Sequence, residues 1–517
     1  MAAPAACGGD SSDDGTHDAG ADGSIFGPPP GPQITAIAVD GGNVRQGSGG
    51  APTNAAAVVH VTGTKLGGAT SVVVAGDIQG VIVTNTPTEL AFTVNVPHGA
   101  PLGVQALAVT TAEGTQSVTN GVTIVPITAA PTGADSVGDT HTTTAATEGN
   151  PVRSLAKAIS LAAAGDTILL KNGVYDRSGG DDFAKPDSGP NVPVGLTIRG
   201  ESIGGVRLVG GKSQCGEAES RDGLVLAGAT QLESLDISGF CVGIQAKVGA
   251  AHILDVAVHD NLTDGIQVAG TSEMTFENVD VSKNMSGVSI ADTAKATITN
   301  GHVSGNANWG IISSSGNYNS LAVTGTEFSA NGTLGGDNTF AAIKANTNKA
   351  TTGIIAIVGA NFHDNDVNAV VLQNVGVKAT ITSSTFKNNH YLALNVGGQG
   401  GPATVTVRGS TFVGSLNGIY LNGAPVDLGT VASPGGNTFE TCSNSKDCAA
   451  VADDRDVSPA PVPVHGNTWT GIANQTPPTG CSAGDVPYPA ATQRFWRIAH
   501  PGTCSSSTTG TGNVMLN

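Results

Sequence analysis

From residue 258 onward the chain repeats one short pattern: an apolar side chain, two polar or small residues, an asparagine, then a glycine or alanine followed by an aliphatic residue. The apolar position can be followed through ten copies, at Ile237, Val258, Val281, Val303, Phe328, Phe362, Phe386, Phe412, Phe439 and Trp469. Successive copies are 21, 23, 22, 25, 34, 24, 26, 27 and 30 residues apart. Three places after it, asparagine recurs in six consecutive copies, Asn261, Asn284, Asn306, Asn331, Asn365 and Asn389. A second column, Gly243-Ile, Gly265-Ile, Gly287-Val, Gly310-Ile, Ala369-Val and Gly418-Ile, marks where each next strand begins. A period of 20 to 50 residues is the mark of a solenoid, whose units bury their apolar faces only against their neighbours. Two or three short β-runs per copy predict the coils of a parallel β-helix. The asparagines tolerate a left-handed bend, and each amide can bond its equivalent one coil away. Nine steps of about 4.8 Å give a column roughly 43 Å long. The longer steps, after Phe328 and around 397–402, predict side loops, the part of a regular scaffold that carries binding function.

Upstream the pattern changes twice. Val152, Leu155, Ile159 and Ala163 follow Asn150-Pro151 at helical spacing and Gly165 ends the run, which predicts one helix over 151–164, capped at Asn150. Placed there, it covers the open end of the first coil. Before it, strand-like runs at 34–39, 57–62, 71–74, 81–84, 89–96, 104–111 and 121–125 are separated by Gly, Asn and Pro turns. Seven short strands in under a hundred residues predict an Ig-like β-sandwich. Residues 8–24 hold nothing apolar larger than alanine and are read as a disordered acidic tether. The expected organisation is tether 1–31, sandwich 32–128, linker 129–149, β-helix 150–475 and a C-terminal cap or tail 476–517.

Composition sharpens this all-β reading. The 517 residues include 73 Gly and 26 Pro, with only 12% charged. The net charge of −18 leaves no basic patch to neutralise phosphates, so nucleic acid is excluded as a partner and anionic lipid surfaces are disfavoured. No apolar run is long enough to span a bilayer. The cysteines, at 7, 215, 241, 442, 448, 481 and 504, contain no Cys-x-x-Cys pair, so no metal centre is expected from them. Setting Cys7 aside, the even set Cys215, Cys241, Cys442, Cys448, Cys481 and Cys504 suits disulfides in an oxidising compartment. Pairing of sequence neighbours is the simplest of the connectivities that remain open.

Three stretches resemble known families. Cys7, followed at once by the acidic tether, is similar to the mature start of bacterial lipoproteins, which implies an acylated anchor and an extracellular, outer-membrane-tethered chain. Pro32-Gln-Ile34, Val59-His-Val61-Thr-Gly63-Thr, Val96-Pro97 and Ala108-Val109-Thr110-Thr111 resemble the IPT/TIG family of Ig-like domains, spacers or interaction modules. The run PVRSLAKAISLAAAGDTILLKNGVY resembles the module opening many bacterial right-handed β-helix proteins, of the pectate-lyase-like superfold.

Chemistry is sparse. His259-Asp260 and His363-Asp364 precede two of the repeat asparagines, but four coils, about 19 Å, separate them, too far for one bond-breaking site. Asp260 and Lys283 fall on adjacent coils, within reach of an ion pair; with Asp364 and Lys387 they are the only catalytic candidates, since lyases of this fold combine calcium-binding carboxylates with an Arg or Lys base. Trp309 and Phe340 precede a strand re-entry, where they stack on sugar rings or pack under a loop. No cofactor is expected; structural calcium at Asp181-Asp182 and Asp187, or at Asp453-Asp454 and Asp456, is the one ion left open. The expected function is a surface-displayed binding or structural protein presenting a β-helix flank to extracellular polysaccharide or a cell-surface protein. The alternative is a polysaccharide lyase or glycoside hydrolase on the same scaffold.

Overall fold

The structure, a computed structural model, describes residues 31–48, 57–135, 146–176, 191–211, 215, 222–315, 320–335, 340–346, 353–373, 378–397, 404–415, 417–422, 426–440, 449–453, 462–469, 496–498 and 514–515. Residues 33–125 form an eight-stranded, sandwich-like sheet. Its strand order is Gln33–Val39, Ala57–Thr64, Glu89–Val94, Ile78–Asn85, Ser71–Val74, Gly103–Thr111, Gly114–Val125 and Val44–Arg45. Ile78–Asn85 bonds Glu89–Val94 along its length and Ser71–Val74 through its first two residues, so the sheet folds over onto its own apolar face. Alternation drives this: in Ala57–Thr64 every second residue is buried. Val59, Val61, Leu90, Phe92, Val72, Leu107 and Val109, all fully buried, meet in the middle.

The rest is a right-handed parallel β-helix built of three parallel sheets of twelve strands each. The first sheet runs from Ile127–Ala129 to Val426–Asp427, the second from Gly173–Tyr175 to Thr468–Trp469, and the third from Asn191–Val192 to Trp496–Ile498. Strands of the second sheet are mostly three residues long; the middle residue points inward and its neighbours outward. The ten-residue apolar column is the register of this sheet, pairing Ile237 with Val258 and so on, step by step, to Phe439 with Trp469. Phe328, Phe362, Phe386, Phe412 and Phe439 stack with ring centroids 4.7–4.9 Å apart and planes within 10°.

The asparagine column is a hydrogen-bonded ladder. Asn306 Nδ2 donates to Asn331 Oδ1 at 3.0 Å and to Val281 O at 3.0 Å, while its own Oδ1 accepts from Asn284 N at 3.0 Å. The asparagines themselves do not make the left-handed bend. The residue before each one does: Asp260, Lys283, Gly305, Ala330, Asp364 and Asn388 have φ between 50° and 60°. Turning the chain there swings the following asparagine inward, where it is at most 3% exposed. A second ladder, absent from the sequence reading, lies two residues before the apolar column. There Ser384 N donates to Ser410 Oγ, Ser410 N to Asn437 Oδ1 and Asn437 N to Asn467 Oδ1.

Three boundaries move. The helix spans Leu155–Leu161 with Ser154, not Asn150, as its N-cap; Ser154 Oγ accepts from Lys157 N at 3.1 Å. Val152 is held back from the helix by bonds to the end strand of the first sheet, its N donating to Thr128 O. That strand, Ile127–Ala129, pairs in register with Ile168–Leu170, so the β-helix begins inside what reads as linker. At the far end Trp496–Ile498, in the expected tail, adds the last strand of the third sheet. Cys215 and Cys241 form a disulfide. Cys7, Cys442, Cys448, Cys481 and Cys504, the acidic positions 181, 182, 187, 454 and 456, and the tether lie outside the described residues.

Candidate functional site

Two surfaces gather the chemistry. On the outer face of the second sheet, each coil offers one residue on either side of the buried column. His259 stands between two carboxylates: its Nε2 lies 3.1 Å from Asp236 Oδ1 one coil below, and its Nδ1 lies 2.7 Å from Asp260 Oδ2. With both ring nitrogens facing acceptors, both must carry protons, so the ring is an imidazolium. Its pKa is accordingly pushed up to about 9, chiefly by the hydrogen bond to Asp236, against the opposing effect of burial. Four coils on, His363 repeats the arrangement, with Nε2 3.1 Å from Glu327 Oε1 and Nδ1 2.9 Å from Asp364 Oδ2. Burial lowers the pKa of His363, but Asp364 and Glu327 outweigh it and the net direction is up. Across the same coils His302 faces Glu327 at 3.5 Å.

An imidazolium locked between carboxylates is a charge tie and not a general base, because the lone pair a base needs is already protonated. The ion pair expected between Asp260 and Lys283 does not form. The two are stacked on adjacent coils, as the pairing of His259 with Ser282 requires, but Asp260 turns to His259 instead. The left-handed backbone at both residues directs their side chains outward.

The second surface is the corner where the chain passes from the second to the third sheet. The residue after each of the first three ladder asparagines is apolar: Leu262 is 37% and Met285 44% exposed, and Ala307 continues the line. Leu334, 65% exposed, joins it through a bond from its N to Ala307 O at 3.1 Å. Two residues beyond Ala307, half-buried Trp309 meets half-buried Phe340 edge to face, centroids 5.2 Å apart at 74°. Lys344 Nζ sits 5.9 Å from the Trp309 ring centroid. Trp309 Nε1 and Asn308 Oδ1 are buried without a hydrogen-bond partner. Asp264 begins the third-sheet strand in register with Ser286, which in turn pairs with Trp309. Burial pushes the Asp264 carboxyl up to about 6, with the Ser286 hydrogen bond acting against it.

The sequence thus singled out Trp309 and Phe340, and the structure brings them together. It missed Leu262, Met285, Asp264 and Lys344. The available signal was the apolar residue directly after Asn261 and Asn284, out of place on a polar bend. An open cleft on the first sheet, lined by Thr197, Gln231, His252, Glu273 and Thr275, offers an imidazole already facing Glu277 at 3.6 Å. Among the described residues no three His, Cys, Asp or Glu side chains are arranged to hold a metal ion.

A family model described as a right handed beta helix region matches residues 242–412. No curated protein matches the chain. Among solved structures, the chain is similar to ORF18 of Geobacillus virus E2, at 12% identity and a TM-score of 0.35, covering 58% of this chain and 57% of that one. It is also similar to a mannuronan C-5 epimerase A-module of Azotobacter vinelandii, at 12% identity and a TM-score of 0.33, covering 61% of this chain and 91% of that one. A third likeness is the catalytic domain of a GH87 alpha-1,3-glucanase in complex with tetrasaccharides, at 10% identity and a TM-score of 0.41, covering 86% and 96%. At such identities the site has to be read from its own residues.

Proposed function

We propose that this chain is a surface-displayed binding protein whose β-helix corner engages extracellular polysaccharide, with the sandwich, of IPT/TIG type, and a lipid anchor on Cys7 holding it at the cell envelope. The observation that carries the reading is the line of Leu262, Met285, Ala307 and Leu334 ending at the Trp309–Phe340 pair, an apolar and aromatic strip along one corner of the rod. Sugar rings present apolar C–H faces that such strips accept, and their hydroxyls find Lys344 and the nearby carboxylates. The neighbouring histidines are tied between carboxylates, which favours binding without turnover.

One observation favours an enzyme instead. Asp264, two coils from Trp309 in the same register and with its carboxyl pushed up to about 6, is a proton donor of the kind a glycoside hydrolase uses. The test is the purified chain against a polysaccharide panel, with and without calcium, recording co-sedimentation and release of reducing or unsaturated ends. Binding that falls about tenfold or more in Trp309→Ala, with no ends released, is the expected result. Released ends that disappear in Asp264→Asn, Asp260→Ala or Lys283→Ala make the chain an enzyme. A panel that neither binds nor reacts removes carbohydrate as the partner and leaves a cell-surface protein.

A further inference from the structure

We infer that the N-terminal sandwich is the end cap of the β-helix, and that the two open as one body. A solenoid must cover its first coil, because that coil has no neighbour to bury its apolar interior or pair its strand edge. The helix Leu155–Leu161 supplies part of the cover, placing Leu155 and Ala158 in the rod core. The sandwich supplies the rest through a buried polar joint.

The chain itself leaves almost no slack. The last long strand of the sandwich, Gly114–Val125, is followed by Pro126 alone before Ile127–Ala129 enters the first sheet of the rod. Beside this crossing, the Gln46 side chain bridges the two units: Nε2 donates to Ala100 O at 2.6 Å, and Oε1 accepts from Thr167 N at 2.8 Å, the amide that opens the strand Thr167–Leu170. Asp166, its side chain fully buried, accepts from Gly99 N at 3.0 Å in the sandwich and from Ala163 N at 3.0 Å in the rod, and His98 Nδ1 closes on its Oδ2. Arg45, 5% exposed, lies within electrostatic reach of the same carboxylate, although burial outweighs that attraction and lowers its pKa.

The packing is as tight as the bonding. A Cβ on Gly47, whose φ is +72°, would lie 2.5 Å from His98 Nδ1 and 2.9 Å from Asp166 Oδ2. A Cβ on Gly165 would lie 2.8 Å from Gly99 Cα. Parting the units would leave the buried Asp166 carboxylate without His98 and strip the Gly99 and Thr167 amides of their acceptors, a strong penalty for removing one side of a buried polar contact. A spacer on a flexible linker has none of these features.

Hydrogen exchange on the full chain, read by mass spectrometry at rising urea, tests this. The sandwich strand Ala57–Thr64 and the first rod strand Thr167–Leu170 are expected to lose protection at the same urea concentration. Val59→Ala, deep in the sandwich and outside the joint, is expected to speed exchange in both segments by about tenfold or more. Protection of 167–170 that persists after 57–64 has opened, in the wild type or in Val59→Ala, overturns the inference. Asp166→Ala is the complementary variant: it should separate the two transitions, and a chain in which they were already separate refutes the cap.

Discussion

The His259 tie makes a quantitative prediction that runs against the usual behaviour of histidine. In the folded chain its pKa stands at about 9, against an ordinary value of 6.5. A raised value means the folded state holds the proton more tightly than the unfolded chain, so the stabilisation is complete below pH 6.5 and disappears as pH climbs to 9. A gap of about 2.5 pH units corresponds to a ceiling of roughly 3.4 kcal/mol. The imidazole is 27% exposed and Asp260 46%, so solvent screening reduces the expected contribution to about 1–2 kcal/mol. Asp236→Asn removes the larger of the two causes while keeping the shape. Urea midpoints at pH 6 should show the variant less stable by about 1–2 kcal/mol, and at pH 10 the two proteins should coincide. His363 shifts in the same direction but is present in both, so it cancels from the difference. A wild-type His259 that titrates near 6.5 by NMR, or a gap unchanged at pH 10, would refute the reasoning.

Other perturbations read the rest of the structure. Asn306→Ala deletes the acceptor of Asn284 N and Nδ2 and the donor to Val281 O and Asn331 Oδ1, and should cost about 4–6 kcal/mol in urea denaturation followed by circular dichroism. Asn389→Ala, which loses fewer bonds at the ladder end, should cost less in the same measurement. Phe386→Ala opens a fully buried stack and should cost about 3–5 kcal/mol, Phe386→Leu clearly less, by the same denaturation. For Asp264 the pH dependence runs in the same direction as for His259, though from a different cause: burial disfavours its carboxylate, so wild-type stability falls as pH rises from about 4 to 6. Asp264→Asn should abolish that fall and be the more stable protein above pH 6 by about 1–2 kcal/mol, as urea midpoints across the range will show.

What the sequence made legible follows from what repeats. The apolar column and the asparagines recur because each coil must fill the same inner position, so residue type alone exposes them; the nine steps align although their lengths vary from 21 to 34. The second ladder escaped because its position changes character along the rod, from Leu235, Val256 and Val279 to Thr326, Ser384, Ser410 and Asn437. The charge ties escaped because each histidine finds one partner on another coil, 23 residues away for Asp236 and 36 for Glu327. Asn150-Pro151 was a sound helix signal overruled by tertiary pairing of Val152. The joint could not be read at all, since Gln46 and Thr167 are 121 residues apart and neither stands out in its own neighbourhood.

The asparagine ladder has a direction. Each amide oxygen receives from the coil before it, and each amide nitrogen short of the end gives to the oxygen of the next, from Phe240 N at one end to Asn389 at the other. One column step further, at Ser415, the buried hydroxyl has no partner and the series stops. An internal coil therefore presents the same socket below and the same plug above. Duplicating one would mate with both neighbours without redesign, and excising one would let its neighbours close over the gap. Rod length in this architecture is a dial that recombination can turn one notch at a time, while the side loops ride along as exchangeable cargo.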